Sequence, residues 1–173
     1  SISSYVFQGC SSMTSATIPN SVTTIGTSAF CGCSSLTSFT IPSGVTFIGE
    51  SAFYGCMSLA AINIPTNITA VRKATFSYCT SLTSVAIPNS VTSIGEYAFN
   101  GCSSLTAVNI PNNVTAIEKN TFSGCTALTS IVIPNRVAFI GNQAFYNCIG
   151  LDSIVIPNSV RTIGRSAFAN DSN

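Results

Sequence analysis

A spacing of 23 residues recurs along the whole 173-residue chain and constrains its fold more than any other feature. All seven prolines follow it, at Pro19, Pro42, Pro65, Pro88, Pro111, Pro134 and Pro157. Seven of the eight cysteines keep the same step, at Cys10, Cys33, Cys56, Cys79, Cys102, Cys125 and Cys148. Phenylalanines keep it as well, at Phe7, Phe30, Phe53, Phe76, Phe99, Phe122, Phe145 and Phe168. Because a single globular core has no reason to space residues so evenly, the pattern predicts about seven and a half copies of one stacked unit.

Each unit opens with a short strand. Written from Leu36, one unit reads L-T-S-F-T-I-P-S-G-V-T-F-I-G-E-S-A-F-Y-G-C-M-S, and the others differ mainly at polar positions. Its opening, L-x-x-[FIV]-x-I-P, is typical of the L-x-x-L-x-L strand of leucine-rich repeats. Side chains alternate along a strand, so the residues at positions 4 and 6 of the unit point inward. The residues at positions 3 and 5 point outward. The proline then ends the strand, because it has no N–H to donate to a neighbour.

The rest of the unit completes one circuit. A second apolar pair, Val45 and Ile48, precedes Gly49. The following x-x-A-F-x-G predicts one turn of helix that ends at a glycine with positive φ, a position where Tyr78 and Asn147 stand in two units. Stacked circuits would bury the Leu, Ile, Val, Phe and Cys side chains in ladders between parallel strands. A right-handed coil is expected, because parallel crossovers are almost always right-handed.

Two units depart from the glycine that follows the second apolar pair. Arg72 replaces it in one unit and Glu118 in another, and the same two units carry Thr75 and Thr121 in place of the alanine before phenylalanine. A position that accepts arginine and glutamate does not require positive φ, which only glycine adopts freely.

Composition excludes several function classes. With 6 Lys+Arg and 5 Asp+Glu the net charge is +1 and no basic run exists, so nucleic-acid binding loses its electrostatic source. Apolar runs are far shorter than the ~20 residues of a membrane-spanning helix. Histidine, the commonest general base and metal ligand, is absent. The acids are scattered over Glu50, Glu96, Glu118, Asp152 and Asp171. We therefore predict no enzyme activity and no catalytic, cofactor-binding or metal site.

The full unit, L-T-S-V-x-I-P-N-S-V-T-x-I-G-x-x-A-F-x-G-C-S-S, closely resembles the BspA-like leucine-rich repeat, also called the treponemal type. The resemblance covers essentially the whole chain. It implies a right-handed leucine-rich repeat solenoid with a parallel β-sheet on one face and short strands, turns or one-turn helices on the other. Residues 1–173 would form one such domain, part of a longer array. The resemblance also implies a surface-exposed or secreted protein that adheres to host, extracellular-matrix or other cell-surface ligands.

The outward positions of the main strand are the face that most leucine-rich repeats use for binding, so they are the candidate ligand-binding residues. They are Ser15, Thr17, Ser38, Thr40, Ala61, Asn63, Ser84, Ala86, Ala107, Asn109, Ser130, Val132, Ser153 and Val155. Almost all are small, and none is an aromatic or arginine anchor of the kind that dominates tight interfaces. Weak, multivalent contact over many repeats is the more plausible mode of binding. Aromatic residues that look exposed lie elsewhere in the unit, at Phe47, Phe139, Tyr54 and Tyr146.

The cysteines are predicted to form a ladder of buried free thiols. Equivalent residues on neighbouring turns have parallel Cα–Cβ bonds, which keep the Cβ atoms ~4.8 Å apart, farther than a disulfide prefers. A disulfide framework is the alternative. Cys31 stands outside the ladder in a column that is mostly polar, so we predict that it is the most exposed thiol.

Charged residues also follow the repeat. One column reads Thr27, Glu50, Lys73, Glu96, Lys119, Asn142 and Arg165, so acid and base alternate over four turns. The pattern predicts a ladder of exposed ion pairs, each worth ~0.2–1 kcal/mol. A docking stripe is the alternative.

Three functions are compatible with the sequence. The first is protein interaction or adhesion, with a host or matrix protein or with neighbouring repeats. The second is a structural or assembly module without a dedicated ligand. The third and weakest is binding to ice or another regular surface through the column Thr14, Thr37, Ala60, Thr83, Thr106, Thr129 and Asp152, which is interrupted twice. Sequons at Asn67, Asn113 and Asn170 would permit glycosylation in a eukaryotic secretory pathway.

Overall fold

A computed structural model describes residues 1–170 as a coil of stacked turns, each of about 23 residues. In chain order the strands are β1 Ser15–Ala16, β2 Thr24–Ile25, β3 Ser38–Phe39, β4 Phe47–Ile48, β5 Ala61–Asn63, β6 Ala70–Val71, β7 Ser84–Ala86, β8 Ser93–Ile94, β9 Ala107–Asn109, β10 Ala116–Ile117, β11 Ser130–Val132, β12 Phe139–Ile140 and β13 Thr162–Ile163. All pairings are parallel. The parallel solenoid predicted from the repeat is confirmed.

The strands form two columns. The first column, strands β1, β3, β5, β7, β9 and β11, comes from the L-x-x-[FIV]-x-I segments. The second column, strands β2, β4, β6, β8, β10, β12 and β13, comes from the second apolar pairs. Partners differ by one repeat, as in Ser84 with Ala107, so equivalent side chains lie above one another.

The core is built on a stack of phenylalanine rings. Ring centroids of successive turns from Phe7 to Phe168 are 5.1 to 5.7 Å apart, and the ring planes are within 17° of parallel. The six inner rings are fully buried, whereas Phe7 and Phe168 at the two ends of the stack are only partly buried. The predicted phenylalanine ladder is therefore confirmed, with less burial at its ends.

The one-turn helix predicted for x-x-A-F-x-G is wrong. The segment is an irregular turn, and residues 1–170 contain no helix, hence none long and apolar enough to cross a membrane. Ser28 adopts φ 52° in the middle of the segment. The same sign recurs at Ser51, Ala74, Tyr97, Asn120, Gln143 and Ser166. Alternate amides of the segment bond to the next turn, as Phe30 does to the Ala52 carbonyl at 2.8 Å, while the amides between them bond within their own turn, as Cys31 does to the Ser28 carbonyl at 3.1 Å. A left-handed residue in every segment prevents helical continuation.

Close approach of neighbouring turns explains the glycine after the second apolar pair. Gly49 does not have positive φ, which confirms the prediction drawn from Arg72 and Glu118. A Cβ on Gly49 would instead lie 2.4 Å from the amide nitrogen of Thr27. The Gly49 amide donates to the Ile25 carbonyl at 2.8 Å. Within residues 1–170 neither Arg72 nor Glu118 makes the equivalent bond.

The second column consequently opens at these two units. No pairing joins β4 to β6 or β8 to β10, although the chain continues in register on both sides. A cleft of about 350 Å³ lies between β8 and β10, and Glu118 is part of its lining. The side chains of Arg72 and Glu118, at the position where other units have glycine, therefore separate neighbouring turns locally without changing the length of the repeat.

The two threonines that accompany the opening compensate for part of it. Thr75 Oγ1 donates to the Arg72 carbonyl at 2.9 Å, and Thr121 Oγ1 donates to the Glu118 carbonyl at 2.9 Å. Both threonines are buried. Alanine stands at this position in five other units and valine, Val6, in the first, and neither side chain can provide this hydrogen bond.

Amide hydrogen exchange should detect the opening between β8 and β10. Amides of Thr115 and Glu118 should exchange at least about tenfold faster than those of Ala138 and Gly141, their equivalents one turn on, which are bonded to the preceding turn. Glu118→Gly should let the strands approach and slow exchange at both positions. Equal protection of the two pairs of amides in the unmodified chain would contradict this interpretation.

Removing one ring from the stack should be costly. Phe99→Ala should lower the free energy of unfolding by about 3–5 kcal/mol, because Phe99 is fully buried between two stacked rings. Phe139→Ala, which truncates a ring that is 38% exposed, is the matched control and should cost far less. Denaturant unfolding of both variants measures the difference. A loss below about 1 kcal/mol for Phe99→Ala would disprove the core role.

Candidate functional site

The first strand column presents an exposed surface, here called the strand face, which is a paired sheet from β5 to β11 and is unpaired between β3 and β5. It consists of the outward residues of the main strand, and all fourteen candidate residues, from Ser15 to Val155, are exposed. Inward neighbours such as Val85 and Val108 are buried, which confirms the predicted alternation. The structure therefore brings the candidates together on one face, while their role in binding stays a prediction.

Side chains on the strand face become apolar toward one end. Val132 is 78% exposed and Val155 is 81% exposed. Both line a cleft of about 380 Å³ between β11 and the following turn, together with Pro157. Residues 153–155 are not a strand, so β11 has no paired partner on that side. This cleft combines exposed apolar side chains with an unpaired strand edge.

The sequence contained a signal for this cleft that the repeat analysis missed. Upstream units place mostly Ser or Thr at the position of Ile149, and these hydroxyls bond to the preceding turn, as Thr126 does to the Ser103 carbonyl at 3.2 Å. Isoleucine has no hydroxyl to replace that bond. The amide of Thr129 donates to the Thr106 carbonyl on the preceding turn at 3.2 Å. Asp152 is the equivalent residue one turn later, and within residues 1–170 its amide makes no such bond.

The buried cysteines form the predicted thiol ladder. Each Sγ from Cys33 to Cys148 donates to the carbonyl of a phenylalanine on the preceding turn, at 3.1 to 3.3 Å. All eight cysteines are free thiols. Burial raises the pKa of Cys33 to about 11 and that of Cys79, Cys102 and Cys125 well above the ordinary value. These thiols are hydrogen-bond donors in the core. Their raised pKa and their burial make them unreactive as nucleophiles.

The prediction that Cys31 is the most exposed thiol is wrong. Cys10 is exposed, whereas Cys31 is intermediate and burial raises its pKa. Cys10 belongs to the inward column, but within residues 1–170 only the following turn packs beside it, which leaves it exposed. In residues 1–170 no group of three or more Cys, Asp or Glu side chains is arranged to hold a metal ion.

The charge column forms only part of the predicted ion-pair ladder. Lys73 and Glu96 are 3.7 Å apart, the one ion pair among residues 1–170. Lys119 lies over the ring of Tyr97 at 5.8 Å instead of pairing with an acid. Arg165 donates its amide to Asn142 Oδ1 at 2.8 Å. In the part of this column that follows Glu96, the cations Lys119 and Arg165 are present and no acid is.

Exposed aromatic side chains lie away from the strand face. Phe47, Phe139 and Tyr54 are each 38% exposed, and Arg72 lies over the Phe47 ring at 4.4 Å. Tyr146 is partly buried. Two further tyrosines that the repeat pattern did not indicate are exposed, Tyr5 and Tyr78. Tyr78 contacts the Tyr54 ring edge-on at a centroid distance of 5.5 Å.

A parallel solenoid with 23-residue turns and an exposed strand face defines a leucine-rich repeat protein. Residues 1–128 and 69–173 match the family model for the BspA type leucine rich repeat region, in six copies. The chain belongs to this family. As a member, it is a repeat module of the kind that mediates protein–protein interaction and is typically non-enzymatic. Comparison with curated proteins gives no match.

Solved structures agree with this assignment. The chain is similar to the leucine rich repeat protein of T. pallidum, at 35% identity and TM-score 0.84 over 88% of this chain and 71% of that one. It is also similar to a leucine rich cell surface protein of Faecalibacterium prausnitzii, at 28% identity and TM-score 0.67 over 98% of this chain and 60% of that one. The pneumococcal vaccine antigen PcpA shares the fold alone, at 19% identity and TM-score 0.56 over 86% of this chain and 35% of that one.

Thiol labelling of the native protein should follow the burial order. Cys10 should react first and Cys31 more slowly, while the other six should react only after denaturation, because ionisation and access are both suppressed in the core. Cys10→Ser should remove the fast phase and leave the slow one. Rapid native labelling of three or more cysteines would contradict the thiol ladder.

Proposed function

We propose that this chain is a surface-displayed or secreted interaction module that adheres to host, matrix or other cell-surface proteins through its strand face. The main support for this proposal is the exposed sheet surface that small side chains form over β5, β7, β9 and β11. This surface ends at the exposed Val132 and Val155. The name of the F. prausnitzii protein, a leucine rich cell surface protein, supports the same location. We further propose that residues 1–173 form one solenoid domain of a longer array and have no enzyme activity.

Small side chains on the strand face favour many weak contacts. Ser84, Ala86 and Ala107 offer little area to bury and lack the aromatic or arginine anchors of high-affinity hot spots. A repeated surface can still bind firmly when several turns engage together, since each further contact is effectively intramolecular. Such a surface suits a broad or repetitive ligand, with the apolar end at Val132 and Val155 as its strongest contact.

A surface-lattice function is disfavoured by the threonine column. Hydroxyls of Thr37, Thr83, Thr106 and Thr129 donate to the carbonyl of the preceding turn, at 3.2 to 3.4 Å. Their protons therefore point along the stack and stabilise it, and they are not free to bind a regular external surface.

The strand-face proposal is tested by retention of the chain on immobilised extracellular-matrix extract. Ser84→Arg combined with Asn109→Arg should reduce retention at least about fivefold, because two long charged side chains block close contact with the sheet. Thr92→Arg, an exposed site beside the second column, is the matched control and should leave retention unchanged. Equal retention of all three proteins would disprove the use of this face. Concentration-dependent self-association without retention would favour the assembly function.

A further inference from the structure

A second polar site lies outside the strand face, in the charge column. Lys119, Asn142, Gln143, Arg165 and Ser166 line a cleft of about 340 Å³ across three successive turns, here called the cationic cleft. Each of these five side chains can donate a hydrogen bond, and two of them carry a positive charge. Among residues 1–170, no carboxylate belongs to the lining.

The backbone beneath the cationic cleft holds its three turns together. The Asn120 amide donates to the Asn142 carbonyl at 3.1 Å, and the Gln143 amide donates to the Arg165 carbonyl at 2.9 Å. Asn142 Oδ1 accepts the Arg165 amide at 2.8 Å. The Nδ2 group of the same side chain makes no hydrogen bond within residues 1–170, so this donor is available to a ligand.

The two cations of the cleft have no acid of their own among residues 1–170. Glu96, the nearest acid in the column, lies between Lys73 and Lys119. It pairs with Lys73 at 3.7 Å. Glu118 lines the separate cleft between β8 and β10. Lys119 and Arg165 are two turns apart, about 10 Å along the stack, with Asn142 between them.

The column itself indicates which anion fits. Glu50, Lys73, Glu96 and Lys119 alternate in sign, and continuing the alternation would place a carboxylate at Asn142. Asparagine has the shape of aspartate without its charge. A carboxylate from outside, seated over Asn142, would meet a cation on either side, as Glu96 meets Lys73 within the chain.

We propose that the cationic cleft binds a carboxylate side chain of an acidic peptide segment in a protein partner. Lys119 and Arg165 neutralise its charge, and Asn142 Nδ2 donates a hydrogen bond to it. The cleft is exposed, so a single carboxylate binds weakly and the contact adds to others made by the partner. The proposal does not rest on the strand face, since a free peptide can test it without any adhesion assay.

The test is a titration of the isotopically labelled chain with capped hexaglutamate, followed by amide chemical shifts at about 0.02 M salt, where screening is weak. We expect saturable shifts at Lys119, Asn142, Gln143 and Arg165, with a dissociation constant on the order of millimolar. Capped hexaglutamine should produce none. Lys119→Gln and Arg165→Gln should each weaken binding about two- to fivefold.

Two further variants separate this site from general attraction of acids. Asn142→Asp keeps the Oδ1 acceptor but supplies the missing carboxylate within the chain, so it should abolish peptide binding. Arg136→Gln removes a cation outside the cleft that is bonded to Asn113, and it should leave binding unchanged. The proposal is wrong if hexaglutamate causes no saturable shifts, if Arg136→Gln weakens binding as much as Lys119→Gln, or if a heparin tetrasaccharide alone binds in the cleft.

Discussion

Each turn of this solenoid must lie within hydrogen-bonding distance of the turns on both sides, and the rest of the structure depends on that constraint. The amides of Thr46 and Gly49 bond to the preceding turn, whereas the amide of Phe30 bonds to the following one. The same spacing stacks the phenylalanine rings and brings each cysteine thiol to a carbonyl of the turn before it. Glycine at positions such as Gly49 is the local cost of that approach, since no side chain fits there.

Features that could bind a ligand occur where this regularity is incomplete. Glu118 separates β8 from β10, and the first column ends at β11 beside the exposed Val132. The cationic cleft follows from a missing acid at Asn142 in an otherwise alternating column. An even repeat gives a rigid and nearly uniform surface, so individual substitutions provide the chemistry that can distinguish one partner from another.

Much of the fold could be predicted from spacing alone. Buried Phe99 and exposed Ser84 follow from the position of each residue in its unit. The absence of positive φ at Gly49 follows from Arg72 and Glu118, which replace this glycine in two other units. The predicted helix failed because a left-handed residue such as Ser28 carries no distinctive side-chain signature. Cys10 was misjudged because column membership indicates direction, and burial also needs a neighbouring turn.

By itself the sequence determined the repeat length, the parallel stacking and the inward and outward columns, because these follow from periodic burial of apolar side chains. Only the tertiary structure decided which turns stay in contact and which separate. The strands β8 and β10, which are not paired with each other, are one example, and within residues 1–170 Lys119 lies over Tyr97 instead of pairing with an acid. Such outcomes depend on distances between neighbouring backbones, where steric contact and hydrogen bonding compete, and a one-dimensional pattern does not contain those distances.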